Sequence, residues 1–120
     1  QDIPAHFQDR ESHAHNRLIT SIVLNDDERR QVAQEFNERL AGAQGKTTYI
    51  LPTHGCNEWD REGAPLHDKQ GLDAFIQETR ETRPKNVELI ELDCHINDPE
   101  FSETALAILD HWIAKGVVKL

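Results

Sequence analysis

Thr47-Thr48-Tyr49-Ile50-Leu51-Pro52 sets the architecture of this chain. Its β-branched and aromatic residues suit a strand, and the polar run Thr53–Asp68 that follows is far longer than the usual βα connection of about 2–6 residues. Beyond it, Leu72, Phe75, Ile76 and Thr79 recur at helical spacing, with Asp68 placed to cap the helix. Pro84 closes that helix, and Val87-Glu88-Leu89-Ile90-Glu91-Leu92 reads as the next strand. Asp98-Pro99 then starts a helix, the carboxylate as cap and proline at the first position. Phe101, Ala105, Ile108, Leu109, Trp112 and Ile113 form its expected buried face, and Gly116 ends it.

Working back, Leu18-Ile19-Thr20-Ser21-Ile22-Val23-Leu24 reads as a strand. Asn25 and Glu28 form a capping box for a helix over 26–42. Val32, Phe36 and Leu40, with Ala33, give that helix one apolar stripe, read as core against the sheet, and Gly42 and Gly45 stop it. Residues 1–16 show no period and read as an arm or linker. The order is β-α-β-α-β-α. Helical crossovers predict parallel strands and a Rossmann-like, three-layer α/β unit over 17–120. Three parallel strands make an incomplete sheet, since parallel sheets are covered on both faces. Further strands are expected from another chain or from a more N-terminal part of the same protein.

With 120 residues the chain is one domain or a piece of one. Apolar residues make up 37% and charged residues 29%, and mean hydropathy is −0.70. The core is therefore small. The net charge of −9 repels phosphate backbones and anionic lipid, which argues against nucleic acid and membrane surfaces as direct partners. No run approaches the ~20 apolar residues of a membrane span. The absence of methionine predicts a start that is processed or cut from something longer. Cys56 and Cys94 form no CxxC pair, so reduced thiols and a cytoplasmic location are the simplest expectation.

If the strands are parallel, the polar segments 53–68 and Asp93–Pro99 leave the sheet at one edge, where open α/β sheets take ligands. His95, Asn97 and Asp98 stand at a helix start, where free N–H groups favour an anion. His95 is the candidate acid–base group there, with turn and cap duties competing at Asn97 and Asp98. In the first loop His54, Cys56, Asp60 and His67 carry the chemistry. Gly55 and Gly63 supply backbone freedom. Together with Asp68, Asp93 and His95 these loops hold nitrogen, oxygen and sulfur donors, but their spacing matches no zinc motif, so no metal ligand is assigned. Cys56 as a nucleophile needs a neighbouring cation, and otherwise reads as an inert small residue. Trp59 reads either as a stacking platform or as packing.

The two loops also carry a family pattern. Pro52, Gly55, Asp60, Gly63, Pro65, His67 and Asp68, then His95-Ile96-Asn97-Asp98-Pro99-Glu100-Phe101, resemble the C-terminal part of the Tm-1-like family, also called UPF0261. The likeness extends back to His15-Asn16 and so spans nearly the whole chain. It implies a longer protein of two Rossmann-like subdomains, with this chain forming most of the second. A plant member is an ATP-binding inhibitor of viral RNA replication, and bacterial members have no settled activity. Two departures matter. Val23 stands where relatives often have Arg, which removes an anion contact. Cys56 stands where they often have Ser, which argues against an obligatory serine nucleophile. No nucleotide contact carries over residue by residue, and neither GxxxxGK[ST] nor GxGxxG occurs.

The leading expectation is a subdomain that binds a nucleotide or another small phosphorylated or carboxylated ligand through His54, Gly55, Cys56, Asp60, Gly63, His67, His95, Asn97 and Asp98. The cofactor is left open, with ATP suggested by resemblance and a divalent cation by the donor set. One alternative is a hydrolase or lyase with His95 and Asp60 as acid and base. Another is an oligomeric interaction module, motivated by the open sheet edge. The expected partners are a small molecule, the rest of the same protein and further copies of it.

Overall fold

The computed structural model describes residues 3–14 and 20–119. Its elements are a 3-10 turn at Ala5–Phe7, β1 (Ser12–Ala14), β2 (Thr20–Ile22), α1 (Asp26–Ala41), β3 (Thr47–Pro52), a 3-10 turn at Glu58–Asp60, α2 (Lys69–Thr82), β4 (Val87–Leu92) and α3 (Pro99–Ala114). This is a small, incomplete α/β unit consistent with a Rossmann-like fold. Strands β3 and β4 run parallel in register from Thr47↔Val87 to Pro52↔Leu92. Among the described residues no helix is long and apolar enough to cross a membrane.

The strand expected over 18–24 departs from expectation. Leu18 and Ile19 lie outside the described residues, as do His15 and Asn16. Thr20–Ile22 does not extend the parallel sheet but pairs antiparallel with Ser12–Ala14, inside the stretch expected to be an arm. The Val23 N–H donates to the Glu11 carbonyl at 2.9 Å, which extends this hairpin. Arg10 fastens it to α1 by donating to Glu28 Oε1 at 2.7 Å and to the Val23 carbonyl at 3.2 Å. A period of two cannot be seen in three residues, so the sequence pattern held no signal for β1.

Helix α1 begins on the expected capping box. Asn25 Oδ1 accepts from the Glu28 N–H at 2.8 Å, and Glu28 Oε1 accepts from the Asn25 N–H at 2.9 Å. Asp68 caps α2, accepting from the Gly71 N–H at 3.0 Å. At α3 the expectation fails in one respect. Asp98 holds the cap position but its carboxylate makes no bond into the helix and turns to other partners.

The core lies between β3 and α2. Leu51, Leu72 and Ile76 are buried there, with Tyr49, Phe75 and Leu89 against them. Helices α1 and α2 pack on one another through Ala33, Asn37 and Thr79, all buried. Asn37 Nδ2 donates to the Thr79 carbonyl at 3.1 Å and to Thr82 Oγ1 at 2.7 Å. Of the stripe expected to be core on α1, Ala33 is buried, but Val32 is 37% and Phe36 51% exposed. No residue of α3 is fully buried, and Leu109, expected inside, is 42% exposed. Phe101, Ala105, Ile108, Trp112 and Ile113 are only half covered. The apolar faces read from the sequence are present, but the described residues do not cover them.

Candidate functional site at the C-terminal rim of the sheet

Parallel strands bring both polar segments out at one rim, and hydrogen bonds continue past the strand ends. The Thr53 N–H donates to the Leu92 carbonyl, His54 N–H to Cys94 and Ile96 N–H to Gly55, at 2.9 to 3.0 Å. Gly55 has φ of +117°, and a Cβ there would stand 3.2 Å from Cδ2 of His95. The position therefore needs glycine twice, for its backbone conformation and for the ring beside it.

His95 is 1% exposed. Its Nε2–H donates to the Asn57 carbonyl at 3.0 Å. Its Nδ1 accepts from the Asn97 N–H at 3.1 Å and from Arg61 Nη2 at 3.2 Å. These partners fix the neutral tautomer and occupy both ring nitrogens. Asp98 completes the knot, accepting from the His95 N–H at 2.8 Å and from Arg61 Nη1 at 3.1 Å. The His95 N–H, then the Arg61 guanidinium, hold the Asp98 carboxyl below its ordinary range. In this arrangement His95 clasps the two loops together.

Asp60 has a comparable position. Its Oδ1 accepts from the Asp68 N–H at 2.9 Å. Arg29 Nη1 lies 3.6 Å from Asp60 Oδ2, and Arg29 Nη2 lies 3.6 Å from Asp68 Oδ2. Arg29 Nε also donates to the Leu24 carbonyl at 3.2 Å. The guanidinium passes over Gly71, where a Cβ would come within 2.6 Å of Nε. Asp60 thus anchors the first loop to α1 and α2.

His67 is placed differently. Its Nδ1–H donates to the Asp60 carbonyl at 2.8 Å, which leaves Nε2 as the acceptor nitrogen. His54 sits on the exposed rim, its Nε2 paired with Asp93. Asn97 is exposed and donates to Glu58 Oε2 at 2.7 Å. Gly63 has φ of +86° with open space around it, a plain turn requirement. Trp59 meets the His13 ring, centroids 5.4 Å apart, so at least one of its contacts is packing.

Two clefts flank this knot. One, about 690 Å³, is polar, and its lining includes His54, Arg61, His67, Lys69, His95 and Asp98. The other, about 470 Å³, is apolar, and Cys56 stands in its wall. Cys56 is exposed on one side, yet crowding by the wall and then the Asp60 charge push its thiol up. Burial does the same to Cys94. Neither is an activated thiolate. Among the described residues no three His, Cys, Asp or Glu side chains gather as a metal site would require.

Of the residues named from the sequence, Gly55, His95 and Asp98 meet in one knot, Asp60, His67 and Asp68 in a second, and His54 and Asn97 stand on the rim. Arg29, Arg61 and Asn57 were missed. A guanidinium between Asp60 and Glu62 was the available hint for Arg61. For Arg29 the only trace was a glycine in the first turn of α2.

An open α/β unit whose polar loops meet beyond the carboxyl ends of parallel strands belongs to the broad class of Rossmann-like domains. The comparisons give the family. The model of the uncharacterised protein family UPF0261, C-terminal domain, matches residues 1–113, and this chain belongs to that family. A UPF0261 protein of Brucella melitensis is 46% identical over 118 residues, covering 98% of this chain and 28% of the relative. A UPF0261 protein of Mesorhizobium japonicum is 32% identical over 111 residues, covering 90% and 28%. The ToMV resistance protein Tm-1(GCR237) of Solanum lycopersicum is 26% identical over 113 residues, covering 92% and 15%. The chain thus spans less than a third of the length of these relatives.

Proposed function

We propose that this domain supplies one wall of a binding site for a small anionic ligand, phosphorylated or carboxylated, with nucleotides such as ATP in that class. The observation that carries the reading is the polar cleft at the carboxyl ends of β3 and β4, where Arg61, Lys69, His54 and His67 converge. His67 offers Nε2, which accepts from a ligand donor when neutral and donates to an anion when protonated. Lys69 is exposed and, among the described residues, pairs with Asp73 along its own helix, a surface contact that it can exchange for a ligand oxygen. The Gly55–His95–Asp98 knot serves this site by fixing the loops before a ligand arrives, which lowers the entropic cost of binding.

The tomato relative's printed name concerns resistance to a virus, and this chain covers 15% of that protein, so the name sets no activity here. ATP enters through the family resemblance alone. Val23 lies in the apolar cleft and adds nothing to the polar one.

The test is calorimetric titration of the full-length protein with ATP, inorganic phosphate and a small dicarboxylate. Saturable binding of at least one, weakened tenfold or more by His67→Ala or Lys69→Ala with the thermal midpoint unchanged, is expected. No saturable binding, or binding indifferent to both substitutions, overturns the reading.

A further inference from the structure

The side chains of the polar cleft restrict its ligand further. Among the described residues that line it, three fixed cations, Arg61, Lys69 and Arg80, stand with three carboxylates, Glu62, Asp73 and Asp98. Each cation already holds a carboxylate. Arg61 Nη1 donates to Asp98 at 3.1 Å, Lys69 Nζ to Asp73 at 2.9 Å and Arg80 Nε to Glu91 at 2.9 Å. The lining is therefore close to balanced in charge, within a chain of net charge −9. A phosphate dianion or a polyphosphate would lie beside carboxylates as often as beside cations, and like charge works against it.

We infer that the ligand of this cleft is a polyhydroxylated monocarboxylate, a sugar acid, with its one negative charge at His67 and Lys69 and its hydroxyls along α2. The inference rests on the anion-site reading above and narrows its ligand class. A hydroxyl carries one donor and two acceptor lone pairs, whereas an ionised phosphate or carboxylate only accepts. A ligand hydroxyl can accept from Lys69 while donating to Asp73, and so bridges that exposed pair without breaking it. The neutral groups of the cleft suit the same chemistry. Thr53 Oγ1 donates to the Leu92 carbonyl at 3.1 Å and Gln77 Nε2 donates to Glu81 at 3.0 Å, which leaves the Thr53 oxygen and the Gln77 amide oxygen as acceptors. Lys69, Asp73 and Gln77 follow one another at four-residue spacing on α2, so a chain of hydroxyls meets alternating donors and acceptors along one stripe of the helix.

The experiment titrates the full-length protein calorimetrically with D-gluconate, D-galactonate and D-ribonate, against hexanoate, sorbitol, inorganic phosphate and ATP. At least one sugar acid is expected to bind at least tenfold tighter than every control, since a site built for hydroxyls rejects the analogue that lacks them. Phosphate or ATP binding as tightly as the best sugar acid would leave the anion site standing and overturn this inference. Hexanoate or sorbitol matching the sugar acid would overturn it too. No saturable binding of any probe overturns both readings. Asp73→Ala is the second measurement, and Asp73 is exposed, so the fold does not depend on it. The best sugar acid should bind at least fivefold weaker for loss of an acceptor, while phosphate binds no weaker for loss of a negative neighbour. A parallel change in the two ligands contradicts the inference.

Discussion

The edge of the His95 ring stands 3.2 Å from where a Cβ on Gly55 would be, so the two loops are closed face to face with no room between them. Gly55→Ala meets both this ring and an unfavourable positive φ. The expected loss is about 2 kcal/mol, read by urea denaturation of the full-length protein. A change smaller than about 0.5 kcal/mol would show that the loops do not close in this way.

Removing the ring from the other side is expected to cost more. His95→Ala empties the place of a buried ring and strands the partly buried Asn57 carbonyl and Asn97 N–H, a loss of about 3 kcal/mol. Urea denaturation of the full-length protein decides this, and a loss smaller than about 1 kcal/mol would contradict the clasp.

Gly71 and Arg29 should be coupled. A methyl at position 71 enters the space of the Arg29 guanidinium and of the Asp68 carboxylate. In the wild-type background Gly71→Ala is expected to destabilise by about 1–2 kcal/mol, although alanine is the better helix former by nearly 1 kcal/mol. In an Arg29→Ala background the cost should fall by at least half. Additive effects in a double-mutant cycle would show that the guanidinium does not occupy that space.

Asp98 gives a pH dependence with a definite sign. Its carboxyl is held down in the folded state, first by the His95 N–H and then by Arg61. It therefore contributes stability above the ordinary carboxylate value near 3.9, and that contribution is lost as pH falls through the lower folded value. Asp98→Asn should lower the thermal midpoint at pH 7, with the gap to the wild type closing in acid. A gap that fails to narrow as pH falls well below the ordinary carboxylate value near 3.9 would contradict the assignment.

How much of this was legible beforehand depends on range. The bounds of β3 and β4 follow from uninterrupted β-forming runs, and the caps of α1 and α2 from Asn25, Glu28 and Asp68, because each is a local pattern. The meeting of His54 with Cys94, and of Gly55 with His95, follows once the strands are parallel. The duties of His95 were hidden because a ring's partners come from distant loops: Asn57 and Arg61 lie more than thirty positions away. The antiparallel pairing of Thr20–Ile22 was hidden by the brevity of Ser12–Ala14. On α1 the reading as core holds for Ala33 and fails for Val32 and Phe36. Asn37 takes the helix contact because its amide reaches the Thr79 carbonyl, and Phe36 is left lining the apolar cleft.

The central claim is that one rim holds a fixed clasp, His95, beside a ligand-ready imidazole, His67. Nitrogen-15 spectra of histidine-labelled full-length protein, recorded while ATP or phosphate is added, test it most directly. The account predicts a saturable shift at His67 Nε2 while His95 keeps its Nε2–H tautomer throughout. A shift at His95 with His67 unmoved, or no histidine responding to any anion, would contradict it.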